Sequence, residues 1–395
     1  MKYNPFLIQA QHRERVSELS KRGIVSPLAE QLAQYGENML IHLEGLTWEE
    51  AHFLRQTMQA CGGEAIFSGH PGDELEALLL ATRSQLELAL QRLSNEEQRM
   101  YAAAEEIREA LAMREQLDRR RRLVCGPHVL PLGERTLVMG ILNVTPDSFS
   151  DGGRYIDLDQ AVAQARHMVE AGADLIDIGG ESTRPGSEPV DAAEEMDRVL
   201  PIIRALSTEL QVPLSIDTYK AEVADRAVQA GAHIINDIWG AKRDKRMAEV
   251  AARHQVPIIL MHNREDRNYQ HFFANFVKDL RESVQIALQA GVRHDQIILD
   301  PGIGFAKSLE QNLETMRRLD DLVGLGFPVL LATSRKSMIG HVLDLPVDER
   351  MEGTAATVAL GVAKGCHMVR VHDVKEMKRV TTMMDAMVKG GVHVG

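Results

Sequence analysis

Two carboxylates and two cations, Asp217, Asp300, Lys336 and Arg370, each end or closely follow a short apolar run of the chain. Asn143, Glu181 to Arg184, Asn236, Asp237, His262, Arg335, His372 and Asp373 occupy equivalent positions along it. Any one of these could cap a helix, since Asp and Asn satisfy the free N–H groups of a first turn. Capping needs no cations, however. Two acids and two bases at matching positions suit a site that binds a small charged molecule and stabilises charge as it develops.

Such residues can act together only if the fold brings the ends of the runs to one place. Eight runs follow residue 130: LVMGILNV (137–144), LIDIGG (175–180), LSIDT (214–218), HIINDI (233–238), PIILMH (257–262), IILDPG (297–302), PVLLAT (328–333) and MVRVHD (368–373). Each is rich in Val, Ile and Leu, as a strand buried on both faces must be. Amphipathic stretches such as DLDQAVAQARHMVEAG separate them, and this alternation predicts a parallel sheet. Eight units in some 260 residues are what a closed (β/α)8 TIM barrel requires, and its reactive groups gather at the carboxyl ends of the strands. The seventh unit carries an insert, SRKSMIGHVLDLPVDER, which reads as a short helix and a loop around Pro346 before the helix MEGTAATVALGVAKG. The loops NVTPDSFSDGGRY and GGESTRPGSEPV exceed what a structural turn needs, and their length and glycine content fit loops that close over ligands. Gly302 and Gly304 in DPGIGF let backbone approach a ligand closely.

Residues 1–125 form a separate small α/β module and residues 126–395 the barrel. In the module, MLIHLEGL (39–46) and EAIFSG (64–69) read as strands around a helix that Thr47 and Glu50 start with a capping box. Residues 72–93 and 96–122 read as two long amphipathic helices joined at Ser94 and Asn95. The basic run Arg119 to Arg122 reads as a solvated helix end leading into a linker. No motif states what the module does.

With 395 residues, 44% of them hydrophobic, the chain can bury a full core and a smaller second one. A formal net charge of −12 argues against a nucleic-acid partner, which demands a positive footprint. Cys61, Cys125 and Cys366 are odd in number and far apart, so neither a disulfide framework nor a CxxC metal site fits, and a reducing cytoplasm is expected. No stretch approaches the ~18 apolar residues of a membrane span.

Seven segments in order, MGILNVTPDSFSDGG, DIGGESTRPGSEPV, SIDTYKAEVA, INDI, DPGIGFAK, TSRKSMIG and VRVHDV, resemble the motifs of dihydropteroate synthases, and the resemblance covers roughly residues 130 to 390. It implies transfer of a pterin from its diphosphate to 4-aminobenzoate in folate biosynthesis. It implies a pterin pocket of Asp217, Asn236, Met261, Asp300 and Lys336, and a diphosphate site of Asn143, Arg370 and His372, with Asn143 also contacting Mg2+. Thr183, Arg184, Pro185, Phe305, Lys307 and Ser337 resemble the aminobenzoate end, and Asp147, Phe149 and Asp151 fall on a mobile first loop. Asp217, Asp300, Lys336 and Arg370 are the expected catalytic residues. A cytoplasmic homodimer, formed through barrel helices, is implied as well. A rival in the same pterin-binding class, a methyltetrahydrofolate–corrinoid methyltransferase, would share the pterin signals, but would need neither the Thr-Arg-Pro loop nor the Ser-Arg-Lys-Ser and Arg-Val-His segments.

Overall fold

The computed structural model describes residues 38–67, 69–95, 98–119, 122–144, 158–181 and 190–389. They fall into two compact units that divide between Ala112 and Met113.

The first unit is a three-stranded antiparallel sheet backed by helices. Its strands β1 (Asn38–Leu46), β2 (Glu64–Phe67) and β3 (Leu75–Thr82) lie in the order β1-β3-β2. Helix α1 (Trp48–Ala60) begins with the expected capping box between Thr47 and Glu50. Helices α2 (Arg83–Asn95) and α3 (Gln98–Arg119) follow, the latter crossing the division between the units. The expected helix over 72–93 is thus only half helix, because residues 75–82 form the central strand. Leu75, Ala77, Leu79 and Ala81 alternate inward there, onto Leu54, Met58, Leu86 and Leu90. A leucine-rich stretch with little β-branching carries no periodicity that separates helix from strand, and pairing on both edges decides the outcome.

The second unit contains the eight expected strands: β6 (Leu137–Asn143), β7 (Leu175–Gly179), β8 (Leu214–Asp217), β9 (Ile234–Asp237), β10 (Ile258–Met261), β11 (Ile297–Asp300), β12 (Leu330–Leu331) and β13 (Met368–Val371). All pair in parallel in the order β11-β10-β9-β8-β7-β6-β13-β12, and a parallel bridge from Leu299 to Val329 closes the ring. The residues meant as linker form a hairpin instead, β4 (Arg122–Cys125) and β5 (His128–Pro131), with Gly126 at φ 59° in its turn. Leu123, Cys125, Leu130 and Leu132 join Leu137, Met139, Leu175, Ile234, Ile259, Ile298, Leu330 and Met368 in one apolar cluster. The hairpin therefore plugs the amino-terminal end of the barrel.

Helices α4 (Leu158–Glu170), α5 (Ala192–Glu209), α6 (Ala221–Ala230), α7 (Arg246–His254), α8 (Phe272–Gln289), α9 (Leu309–Arg317) and α10 (Leu319–Val323) follow in turn along the chain. The insert after β12 holds the expected short helix α11 (Ser337–Leu343), then α12 (Met351–Ala363), and α13 (Val374–Lys389) ends the described chain. Outward strand residues such as Ile176, Ile216, Leu260 and Val369 pack against this helical layer.

Candidate active site

Side chains alternate across a strand, so every second residue of each run enters the barrel. Counting upward from the apolar floor, the inward positions at the carboxyl ends are Asn143, Asp177, Ser215, Asp217, Asn236, Met261, Asp300 and Arg370. The sheet register sets Gly179 beside Asp217, and Asp217 beside Asn236. Gly179 adds no side chain there, and this leaves room over the neighbouring carboxylate.

Arg370 is the hub. Its Nε donates to Asp177 Oδ2 and its Nη2 to Asp217 Oδ2, each at 2.6 Å. Asn236 Nδ2 donates to the same Asp177 oxygen at 3.0 Å. Asp177 is fully buried, and it was absent from the residues expected to form the site. The signal for it was present: a charge in the middle of the run LIDIGG has no reason to be there unless something inside the barrel pairs with it. The second oxygens of Asp177 and Asp217, and the hydroxyl of Ser215, are buried with no partner among the described residues. Unpaired buried acceptors cost stability, and a ligand that brings N–H donors would satisfy them.

Burial pushes the Asp217 carboxyl up to about 7 against the pull of Arg370, and Asp177 adds to the rise. Burial also raises Asp300 to about 6, although its Oδ1 accepts the Gly302 N–H at 2.7 Å and Lys336 and Arg370 oppose the shift. Lys336 falls to about 8, through burial and the nearby Arg370. Its Nζ stands 4.3 Å from the centre of the Phe305 ring. Met261 is buried at the end of β10. Aspartates, lysine and arginine thus gather at the mouth of the barrel, where the charges of Arg370 and Lys336 oppose the rise of both carboxyls.

Several expected groups are engaged elsewhere. Arg335 Nε donates to Asp373 at 3.0 Å, so these two residues after β12 and β13 satisfy each other. Asp237 accepts the N–H groups of Trp239 and Ala241 and shapes its own turn. Glu181 is bound by Tyr219 and Lys220, and Lys220 also reaches Glu195 at 2.5 Å. His372 Nδ1 lies 2.9 Å from Ser334 Oγ, which accepts the His372 backbone N–H. Lys307 Nζ points into protein, with His262 Nδ1 at 2.8 Å and the carbonyl oxygens of Gly302 and Phe305 at 3.0 and 3.1 Å. Ser337 opens α11 and is exposed. Asp147, Phe149 and Asp151, with Thr183, Arg184 and Pro185, lie outside the described residues.

An eight-stranded barrel whose mouth pairs buried acids with amide and cationic donors suits a nitrogen heterocycle carrying an anionic group, and the class follows from comparison. A family model for pterin binding enzymes matches residues 139–372. A dihydropteroate synthase of Bacillus subtilis is 63% identical over 270 residues, covering 68% of this chain and 95% of that protein. A crystal structure of dihydropteroate synthase from Clostridium difficile in the presence of pteroic acid is 49% identical, with a TM-score of 0.64 over 65% of this chain and 98% of its own. One from Xanthomonas albilineans with 4-aminobenzoic acid is 40% identical, with a TM-score of 0.65 over 68% and 98%. The chain belongs to the dihydropteroate synthase family.

Proposed function

We propose that the barrel condenses 6-hydroxymethyl-7,8-dihydropterin diphosphate with 4-aminobenzoate, giving 7,8-dihydropteroate and diphosphate in folate biosynthesis. One observation carries this reading of the cavity: Arg370 is held between Asp177 and Asp217 while the second oxygen of each acid is buried and unpaired. The pterin's amino-pyrimidinone edge supplies the N–H donor that the second Asp217 oxygen lacks, and Asp300 takes another beside the Gly302 N–H it already accepts. Asn236 and Lys336 complete that edge, and Met261 lines the pocket. Arg370, Asn143 and His372 take the diphosphate. Phe305 and Ser337 border the aminobenzoate, and the roles of Thr183, Arg184 and Pro185 toward it, with those of Asp147, Phe149 and Asp151, rest on the resemblance of their motifs.

In the reaction the methylene C–O bond breaks and its electron pair leaves with the diphosphate. The amine nitrogen then bonds to that carbon and gives up a proton. An arylamine is already neutral near pH 7, so departure of the leaving group is the demanding step. A cation ~4 Å from a unit negative charge contributes about 4 kcal/mol at an effective dielectric of 20; Arg370, whose charge Asp177 and Asp217 already share, provides part of this as charge builds on the leaving oxygen. Asp217 and Asp300 stabilise the positive charge left on the pterin.

Magnesium fits this site as a companion of the diphosphate. Among the described residues no group of three His, Cys, Asp or Glu side chains converges at the mouth; the one such group, His42, Glu44 and Glu76, is exposed on the first unit. Mg2+ often binds through one or two protein oxygens together with substrate phosphates, and the Asn143 side chain would be the protein's contribution here. When bound, the ion supplies charge neutralisation to the leaving group.

Among the described residues no helix is long and apolar enough to cross a membrane. A homodimer is supported by Met383, Met387 and Val388 on α13 and by Met351 and Leu360 on the adjacent α12, all exposed. Mixing the protein with Mg2+, the pterin diphosphate and 4-aminobenzoate should release diphosphate, and omitting the amine or chelating the metal should stop it. No release from the complete mixture would defeat the proposal.

A further inference from the structure

The loop after β11 takes two glycines into the left-handed region, which they enter freely, and holds Ala306 there at a cost. Gly302, Gly304 and Ala306 have φ of 63°, 86° and 49°, in the left-handed region that side chains other than glycine seldom enter. Gly302 is also pressed onto the end of β10, where a Cβ would stand 2.1 Å from the His262 carbonyl oxygen. A loop of this kind persists only when its surroundings hold it.

Lys307 supplies that hold. Burial lowers Lys307 to about 7, and in its ammonium form the three donors meet His262 Nδ1, the Gly302 carbonyl and the Phe305 carbonyl. The Phe276 ring lies 5.5 Å from the same nitrogen. Fully buried His262 presents its other nitrogen, Nε2, to Asp279 Oδ2 at 3.1 Å. Asp279 on α8 therefore fixes the tautomer in which Nδ1 is left to accept from the lysine. Burial and the neighbouring Lys307 lower His262 to about 3, so the imidazole stays neutral.

We propose that Asp279, His262 and Lys307 form a positioning relay that locks the 302–306 loop and so holds the Phe305 ring against Lys336 at the meeting point of the two substrates. Lys307 is then a positioning residue, acting on the arylamine through Phe305, and it does not bind the arylamine's carboxylate. This rests on the reaction proposed above.

A pair of arylamines separates the two roles: 4-aminobenzoate, and its neutral amide, 4-aminobenzamide. With saturating pterin diphosphate, Lys307→Met in the full chain should lower kcat/KM for both by about tenfold or more. The ratio between the two amines should stay at the wild-type value. His262→Asn, which weakens the relay without touching the lysine, should give a smaller loss with the same unchanged ratio; it decides the matter alone if the lysine variant does not fold. Loss confined to 4-aminobenzoate would overturn the proposal in favour of a direct carboxylate contact. Undiminished turnover of both amines would overturn it too. Failure of the wild-type chain to release diphosphate with either amine would instead remove the reaction on which the proposal rests.

Discussion

The floor and the mouth of the barrel are made from the same eight strands, yet they differ in every physical respect. Inward residues near the amino ends, Leu137, Leu175, Ile234, Ile259, Ile298 and Met368, are fully buried and close on the β4–β5 hairpin. One inward position further along most strands, about 7 Å at ~3.3 Å per residue, the lining becomes Asp177, Asn236, Asp300 and Arg370. The floor buys stability with apolar area, while the mouth gathers buried charges that the floor helps to keep dry. The burial that raises Asp217 and Asp300 and lowers Lys336 comes in part from the apolar layer beneath. Polarity at the mouth and its absence at the floor are two halves of one electrostatic arrangement.

The strongest break in that contrast is Arg370→Ala. It removes the cation proposed to meet the leaving group and strands Asp177 and Asp217 as buried acids without their shared cation. Turnover, read as diphosphate release, should fall at least ~10²-fold. Urea unfolding should show a loss of about 3 kcal/mol or more, the cost of a broken buried pair. A variant with near-normal turnover would mean that Arg370 serves the fold alone.

The matching change at the floor is Ile298→Ala. Ile298 is fully buried inside the apolar cluster, so the truncation leaves a cavity and should cost about 2–4 kcal/mol. Here kcat per folded molecule should hold near wild type, because no charged group is touched. A large fall in kcat without a fall in stability would show that the floor shapes the chemistry directly.

How much of this the sequence discloses depends on the scale of the interaction involved. The eight strands are plain in the runs, since a two-sided burial requirement writes itself into composition. The site positions follow from the strand ends, where Asn236 and Asp217 meet Arg370 through or beside Asp177 and Asp300 faces the same cations. What a run of letters cannot carry is where a long side chain turns. Lys307 reads as a ligand contact beside Phe305, but the left-handed loop folds its ammonium back onto His262. Arg335 and Asp373 stand 38 residues apart and read as two site groups, yet they pair with each other. Asp177 was overlooked because it lies inside its strand, although its parity matches that of Gly179 at the strand end. In the first unit, residues 75–82 became strand through long-range pairing that local pattern does not encode.

The smallest effect tests whether the mouth's charges oppose stability as they serve the reaction. The Asp300 carboxyl, ordinarily at 3.8, stands at about 6 in the folded protein. A raised acid binds its proton more tightly when folded, so its contribution is complete below about 4 and is lost as pH rises through about 6. A shift of roughly two units corresponds to about 3 kcal/mol as an upper bound. Asp300→Asn keeps an acceptor for the Gly302 N–H but cannot ionise. Relative to wild type, the unliganded variant should therefore gain stability between pH 4 and pH 7 in urea unfolding. Asp217 and Asp237 are raised by burial as well, but they titrate in both proteins and largely cancel from the difference. Wild-type kcat/KM should run the other way, rising as Asp300 and Asp217 ionise near 6 to 7 and falling as Lys336 loses its proton near 8. A stability difference that stays constant from pH 4 to 7 would mean that the Asp300 charge carries no cost in the fold, and the opposition between mouth and floor would not extend to it.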